Sequence, residues 1–181
     1  MTFKVHILLI ISAVGVLSVF GCNKSSSQIS ASLQEVLIKN DKDLKQACIT
    51  TAMRGIELEI KRHQDWIEQR EKGTEDDSEL QQHLSKLKGD LEGLKNIELN
   101  DYGIPQKLQV KAWVLSPASE NSILYVENMT RSGPWYHICG IKGDDYTVIQ
   151  PNEKYLMTIY LVYPRYYWYM KSYYIYIDEY K

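Results

Sequence analysis

The segment "ITTAMRGIELEIKRHQDWIEQREKGTEDDSELQQHLSKLKGDLEGL", residues 49–94, decides the helical part of the fold. It lacks Pro and is rich in good helix formers, apart from a polar loop, "GTEDDS", at 73–78. On both sides of this loop, seam residues recur at alternating spacings of 4 and 3, which predicts two amphipathic helices. The seam residues are Ile49, Met53, Ile56, Ile60, His63 and Ile67 before the loop, and Leu80, Leu84, Leu87, Leu91 and Leu94 after it.

The two seams are mirror images of each other about the loop. When the chain is folded back, Ile67 faces Leu80 and Ile56 faces Leu91, and the numbers of the facing residues always add to 147. An antiparallel pair of helices needs this register, because side chains must meet at equal heights. Residues 32–100 are therefore predicted to form an antiparallel coiled-coil helical hairpin.

At "NDYGIP", residues 100–105, the helical pattern stops, and short alternating segments follow. The candidate strands, separated by turn residues and by Pro164, are 107–115, 122–129, 135–141, 145–150, 153–163 and 165–178. Short strands at this spacing predict an antiparallel β-sandwich over residues 105–181. "ILYVENMT" (123–130) followed by "IQPNEKYLMTIYLVY" (149–163) resembles the small immunoglobulin-like modules of bacterial envelope proteins. The predicted fold class is α+β, a helical hairpin followed by an immunoglobulin-like sandwich.

The last predicted strand is aromatic on both faces. Alternation places Tyr167, Tyr169, Tyr173, Ile175 and Ile177 on one face, and Tyr166, Trp168, Met170, Tyr174 and Tyr176 on the other. We expect one face to pack in the core and the other to meet either the helical hairpin or a partner. The candidate partner-binding aromatics are Tyr166, Trp168, Tyr174 and Tyr176. For Trp113, Trp135 and Trp168, sheet packing is favoured over sugar binding.

The N-terminus has the layout of a secretory signal peptide. Lys4 precedes an apolar run, Val5–Phe20, which is short for a membrane span. Val19-Phe20-Gly21-Cys22 resembles the lipobox of bacterial lipoproteins, with Phe20 where a small residue is usual. This resemblance implies removal of residues 1–21 and lipidation of Cys22, and in a host with two membranes Asn23 favours the outer membrane, facing the periplasm. Residues 22–31 are predicted to be a flexible tether.

Lipidation of Cys22 leaves two other cysteines, Cys48 and Cys139. In the oxidising envelope they could form a disulfide between the two halves of the chain. The alternative is two separately buried thiols, which behave as small apolar groups. Both alternatives remain open at this stage.

Composition and motifs argue against several classes of function. Without Lys4 the chain has 20 basic and 23 acidic side chains, and it contains no basic cluster, so we expect no nucleic-acid binding. His63 is interpreted as a polar seam residue that fixes register, and His137 lies in an apolar strand, neither at metal-ligand spacing. We found no catalytic, phosphate-binding or cofactor motif, so we expect neither an enzyme nor a metal, cofactor or small-molecule site.

The leading functional prediction is a non-catalytic lipoprotein of the bacterial cell envelope, anchored by lipid and acting in protein–protein contact. One alternative is an immunity lipoprotein that neutralises a toxic effector in the periplasm. The other is a lipoprotein that binds peptidoglycan or another glycan. These alternatives remain open from the sequence alone.

Overall fold

A computed structural model of the chain describes residues 26–69, 78–129, 133–167 and 170–181. Within these ranges the chain is α+β: two helices, α1 (Ser26–Gln69) and α2 (Ser78–Asn96), precede five strands. Helix α1 begins inside the segment predicted as a tether and continues without a break into the predicted hairpin. The predicted signal peptide, Cys22 and most of the loop at 73–78 lie outside the described residues. Neither described helix is long and apolar enough to cross a membrane.

The strands form one closed sheet. They are β1 (Gln106–Trp113), β2 (Ile123–Val126), β3 (Trp135–Ile141), β4 (Tyr155–Tyr167) and β5 (Met170–Tyr180). Their spatial order is β1-β2-β3-β5-β4, and β4 also pairs with β1. Four pairings are antiparallel, whereas β3 and β5 run parallel.

The sheet differs from the predicted immunoglobulin-like sandwich in three respects. Its strands form one closed sheet with a parallel pair, instead of two stacked antiparallel sheets. Residues 145–150 are not a strand, because Tyr146–Val148 forms a short 3-10 helix that Asp145 caps. Pro164, which was predicted to separate two strands, lies inside β4. The pairing of β4 with β1 ends at Leu161, so at Pro164 the missing N–H removes no hydrogen bond to β1.

The interior of the closed sheet is apolar. In β5, Ile175 and Ile177 point inward and are fully buried, whereas Tyr174 and Tyr176 point outward. The predicted strand 165–178 is wrong in its bounds, because residues 165–167 belong to β4, but its alternation is confirmed for these four residues of β5. The buried core comprises Ala112, Val114, Leu124, Tyr136, Ile138, Ile141, Ile149, Met157, Ile159, Ile175 and Ile177.

The predicted helical seams do come together. Ile56, Leu87 and Leu91 are buried in one cluster, with Met53, Ile60, Leu94 and Tyr163 packed against it. Facing pairs of the predicted register, such as Ile56 with Leu91, lie in this cluster. The supercoiled geometry of a coiled coil remains a prediction.

Helix α1 also packs on the outer surface of the sheet. Cys48 of α1 is buried with Tyr160 of β4 and Tyr176 of β5. A Cβ atom added to Gly55 would lie 2.6 Å from the Tyr174 ring, and one added to Gly140 would lie 2.1 Å from the Thr51 hydroxyl. These two glycines therefore permit a close approach of helix and sheet.

Candidate functional site

A buried cluster of charged and aromatic side chains lies where α1 meets α2 and the sheet. Its middle is Glu59, which is only 2% exposed. Carboxylates are rarely buried unless they are paired, so this residue requires partners. We call the cluster the Glu59 centre; its members are Glu59, Arg62 and His63 of α1, His83 of α2, Arg165 of β4, and Tyr174 of β5.

The Glu59 carboxylate is held through both of its oxygens. The Tyr174 hydroxyl donates a hydrogen bond to Oε2 at 3.0 Å, and Arg165 Nε lies 3.2 Å from the same oxygen. Arg62 pairs with Oε1 from one turn further along α1. Two guanidinium groups and a hydroxyl thus compensate for the loss of water around the buried charge. These contacts tie α1 to β4 and β5.

Gly55 explains how Tyr174 reaches Glu59. The missing side chain of Gly55 makes room for the Tyr174 ring beside the helix, and Glu59 lies one turn further along the same face. Burial raises the pKa of Tyr174 well above its ordinary value, and the neighbouring Glu59 charge raises it further. The hydroxyl therefore stays protonated and serves as a donor.

Two histidines meet at the edge of the centre. His63 Nδ1 lies 2.8 Å from the backbone carbonyl oxygen of Glu59, so Nδ1 carries the proton and donates, which leaves Nε2 as an acceptor. The ring centroids of His63 and His83 are 4.8 Å apart. Burial, followed by the neighbouring His63, lowers the pKa of His83, which favours the neutral imidazole.

The centre brings together ligand-type groups that the sequence did not predict to meet. Ligand atoms of Glu59, His63 and His83 all lie within 4.8 Å of one another. Sequence reasoning placed His63 correctly in the seam but overlooked His83 and Glu59. A usable signal was the repeat Glu-x-x-x-His, found as Glu59–His63 on α1 and as Glu79–His83 on α2.

His137 of β3 extends the network on the side of the sheet. Arg165 Nη1 lies 2.8 Å from His137 Nε2, and the imidazole packs against Tyr174 at a centroid distance of 6.0 Å. Burial lowers the pKa of His137, so its neutral ring can accept a hydrogen bond from the guanidinium. Arg165 is therefore held between a carboxylate and a neutral imidazole.

A different set of aromatic residues occupies the outer surface of β1, β2 and β3. Trp113 is paired with Tyr125, and their rings stack with centroids 6.2 Å apart, while Trp135 meets Tyr125 edge-on at 6.2 Å. All three side chains are half-buried. Leu156 of β4, which is 53% exposed, shares this outer surface, because it pairs with Lys111, two residues before Trp113. We call these four residues the outer aromatic face.

Charged side chains border the outer aromatic face. Glu127 lies 3.0 Å from Lys154 Nζ and 3.4 Å from Lys111 Nζ. The Lys154 ammonium also lies 5.3 Å from the centre of the Trp113 ring, a cation–π contact. The two lysines lower the pKa of the Glu127 carboxyl group. The border thus carries two cations and one anion.

The predicted partner-binding aromatics have different locations. Tyr174 and Tyr176 are 1% and 7% exposed and lie beneath α1, so helix packing accounts for this part of the aromatic strand. The side chains of Tyr166 and Trp168 lie outside the described residues, as does Cys22.

Cys48 and Cys139 are free, fully buried thiols, so the disulfide considered from the sequence is not present. Cys48 packs with Tyr160 and Tyr176, and Cys139 lies on β3. Burial raises the pKa of Cys48 to about 12 and that of Cys139 higher still. Both thiols therefore remain protonated and act as small apolar groups in the packing.

Comparisons with models of protein families, with curated proteins and with solved structures found no match.

Proposed function

We propose that this chain is a non-catalytic, lipid-anchored lipoprotein of the bacterial cell envelope that binds another envelope protein through its outer aromatic face. Cys22 carries the lipid in this proposal, and the outer membrane, facing the periplasm, is the favoured location. The support for the anchor is the lipobox-like Val19–Cys22 sequence. The support for the binding surface is the arrangement of Trp113, Tyr125 and Trp135.

The outer aromatic face has the composition of a protein-binding surface. Trp and Tyr are enriched among the residues that contribute most to protein–protein affinity. Here three such rings are fixed by their contacts with one another, so little side-chain freedom is lost when a partner binds. An apolar centre with a charged border is also the usual anatomy of such interfaces.

The ring contacts favour a protein over a glycan as the partner. A sugar ring stacks on an aromatic face that is open to solvent, yet Trp113 is approached by both the Tyr125 ring and the Lys154 ammonium. Tyr125 in turn lies between Trp113 and Trp135. The exposed Leu156 on the same surface suits apolar side chains of a protein.

The Glu59 centre supports this function indirectly. Through a carboxylate paired with Arg165 and Tyr174, it joins α1 to β4 and β5, which pair with β1 and β3 of the outer aromatic face. A rigid scaffold reduces the entropy that is lost on binding. We therefore assign the buried aromatics a structural role and the outer aromatic face the binding role.

Chemical crosslinking in the native host tests the proposal. Cells would express the full chain either unchanged or with Tyr125→Ser, and crosslinked adducts would be identified by mass spectrometry. We expect one envelope protein to be recovered with the unchanged chain and at least tenfold less of it with Tyr125→Ser. The matched control is Ile104→Ser, which removes an exposed apolar side chain located before β1. Equal recovery with Tyr125→Ser would refute this surface, and retention of the chain on purified cell wall would favour the glycan alternative.

A further inference from the structure

We propose that His63 and His83, together with Glu59, form a binding site for a transition-metal ion of the zinc class that joins α1 to α2. The inference rests on the position of three donor groups from two helices, whose ligand atoms lie within 4.8 Å of one another. It is independent of the partner-binding proposal, which concerns the outer aromatic face.

His63 is oriented as a metal ligand. Its Nδ1 donates to the backbone carbonyl oxygen of Glu59 at 2.8 Å, so the lone pair is on Nε2. Metal-binding histidines generally donate their other N–H to a carbonyl or carboxylate in this way, which fixes both tautomer and ring direction. His63 is 5% exposed, so its side chain is already held in place and loses little conformational freedom when a metal binds.

His83 supplies the second imidazole from the facing helix. Its ring centroid lies 4.8 Å from that of His63, with the planes inclined at 38°. Tetrahedral zinc holds its nitrogen ligands at about 2.0–2.1 Å, which places two ligand atoms about 3.4 Å apart. Bringing the ring nitrogens of the two histidines to this distance therefore requires a side-chain movement of about an ångström. His83 is only half-buried and has room to move.

Glu59 can contribute the third donor without leaving its partners. An ionised carboxylate has about four acceptor positions. Tyr174 donates to Oε2, which Arg165 Nε approaches at 3.2 Å, and Arg62 pairs with Oε1. At least one acceptor position therefore remains open, and a carboxylate oxygen of Glu59 lies within 4.8 Å of a ring nitrogen of each histidine.

The types of donor atom indicate the class of ion, and a surface hollow provides a route to them. Two imidazole nitrogens with one carboxylate oxygen suit Zn²⁺, Co²⁺, Ni²⁺ or Cu²⁺, whereas Mg²⁺ and Ca²⁺ prefer oxygen donors throughout. His83 borders an open surface hollow that Glu79, Gln82 and Lys86 also line. An ion can reach the site through this hollow, where water can complete the coordination.

Zinc titration of the full chain, purified in detergent, tests the site. Isothermal titration calorimetry with ZnCl₂ is expected to show one equivalent bound, and zinc is expected to raise the unfolding temperature. His83→Gln is expected to weaken zinc binding at least tenfold and to abolish the rise in unfolding temperature. The matched control is Gln81→Ala, at an exposed position of α2 that is not part of the donor set, and it is expected to change zinc affinity less than twofold.

Cobalt substitution of the unchanged chain gives a readout that does not depend on any variant. A tetrahedral or five-coordinate Co²⁺ spectrum without a thiolate charge-transfer band supports nitrogen and oxygen ligands. A thiolate band would identify Cys48 or Cys139 as ligands and would overturn the proposal. It would equally be overturned if no stoichiometric zinc binding were found, or if a natively folded His83→Gln chain bound zinc as tightly as the unchanged one.

Discussion

Two aromatic groups on the outer surface of the same sheet differ in what covers them. On β5, Tyr174 and Tyr176 lie under α1 and are almost completely buried. On β1, β2 and β3, Trp113, Tyr125 and Trp135 are half-buried and are supported mainly by one another. Aromatic content alone therefore does not identify a binding surface. Among the described residues, α1 covers one aromatic group, which contributes to stability, and leaves the other accessible.

The difference is also electrostatic. The covered group surrounds a buried carboxylate that is held by two guanidinium groups and a hydroxyl. The uncovered group is bordered by surface ion pairs between Glu127 and two lysines. Exposed ion pairs contribute little to stability, whereas loss of one partner from a buried network is costly. Substitutions in the two regions should accordingly differ in size.

Glu59→Gln should produce the largest effect. It removes the charge that Arg62 and Arg165 compensate and leaves two guanidinium groups without their carboxylate. We expect a loss of about 3–5 kcal/mol in the free energy of unfolding. Urea unfolding followed by tryptophan fluorescence measures it. Glu57→Gln, at an exposed position of the same helix, is the matched control and should change stability by less than about 0.5 kcal/mol.

Removing one hydroxyl from each aromatic group compares the regions directly. Tyr174→Phe deletes the 3.0 Å hydrogen bond to the Glu59 carboxylate and should cost about 1.5–3 kcal/mol, as expected for a bond to a charged group. Tyr125→Phe removes a hydroxyl from a half-buried ring and should cost less than about 0.5 kcal/mol. The same urea experiment applies to both. Equal losses would show that the covering helix does not distinguish the two groups.

Glycine substitutions test the close approach of α1 to the sheet. Gly55→Ala would place a methyl group 2.6 Å from the Tyr174 ring, and we expect a net destabilisation of about 1–2 kcal/mol after the gain in helix propensity. Gly89→Ala on α2 is the control, because no atom lies within 4 Å of the added Cβ. That variant should be more stable than the unchanged chain by up to about 1 kcal/mol. Thermal unfolding by circular dichroism would show shifts of opposite sign, and a stabilised Gly55→Ala chain would contradict the packing described.

The helical part and the final strand were the most predictable features of the fold. The 4-3 spacing identified the cluster around Ile56, Leu87 and Leu91, and alternation identified the inward Ile175 and Ile177. Both patterns arise from local periodicity, which each segment carries in its own sequence. The parallel pairing of β3 with β5 could not be predicted, because it joins segments whose periodicity is equally compatible with antiparallel neighbours.

The Glu59 centre was not predicted for a different reason. Glu59 is one of many charged residues on a helix, and such residues usually face solvent. Its burial depends on Gly55, Tyr174 and Arg165 meeting in space, and two of these lie more than 100 positions away in sequence. The sequence could not decide between a disulfide and two buried thiols either. Oxidising conditions permit a bridge, but the positions of Cys48 and Cys139 relative to each other depend on the tertiary packing.

The smallest expected effect is a dependence of stability on pH. The pKa of His137 is lowered in the folded state, so the unfolded chain binds the proton more readily as the pH falls through about 6.5. Stability should therefore decrease below that pH, with Arg165 opposing the new positive charge. Urea midpoints between pH 7.5 and 5.5 would measure the slope. His137→Gln should reduce the slope without abolishing it, because the pKa of His83 is lowered as well; an unchanged slope would exclude His137 as a source.

The central claim is that the uncovered aromatic group, and not the exposed surface in general, meets a partner. Photocrosslinking in living cells measures this directly, with a photoreactive residue placed at Tyr125 of the full chain in one strain and at Lys88, an exposed position on α2, in another. We predict a discrete adduct with one envelope protein from position 125 and at least tenfold less of it from position 88. Equal adduct yields from the two positions, or an adduct from position 88 alone, would contradict the assignment of the outer aromatic face as the binding surface.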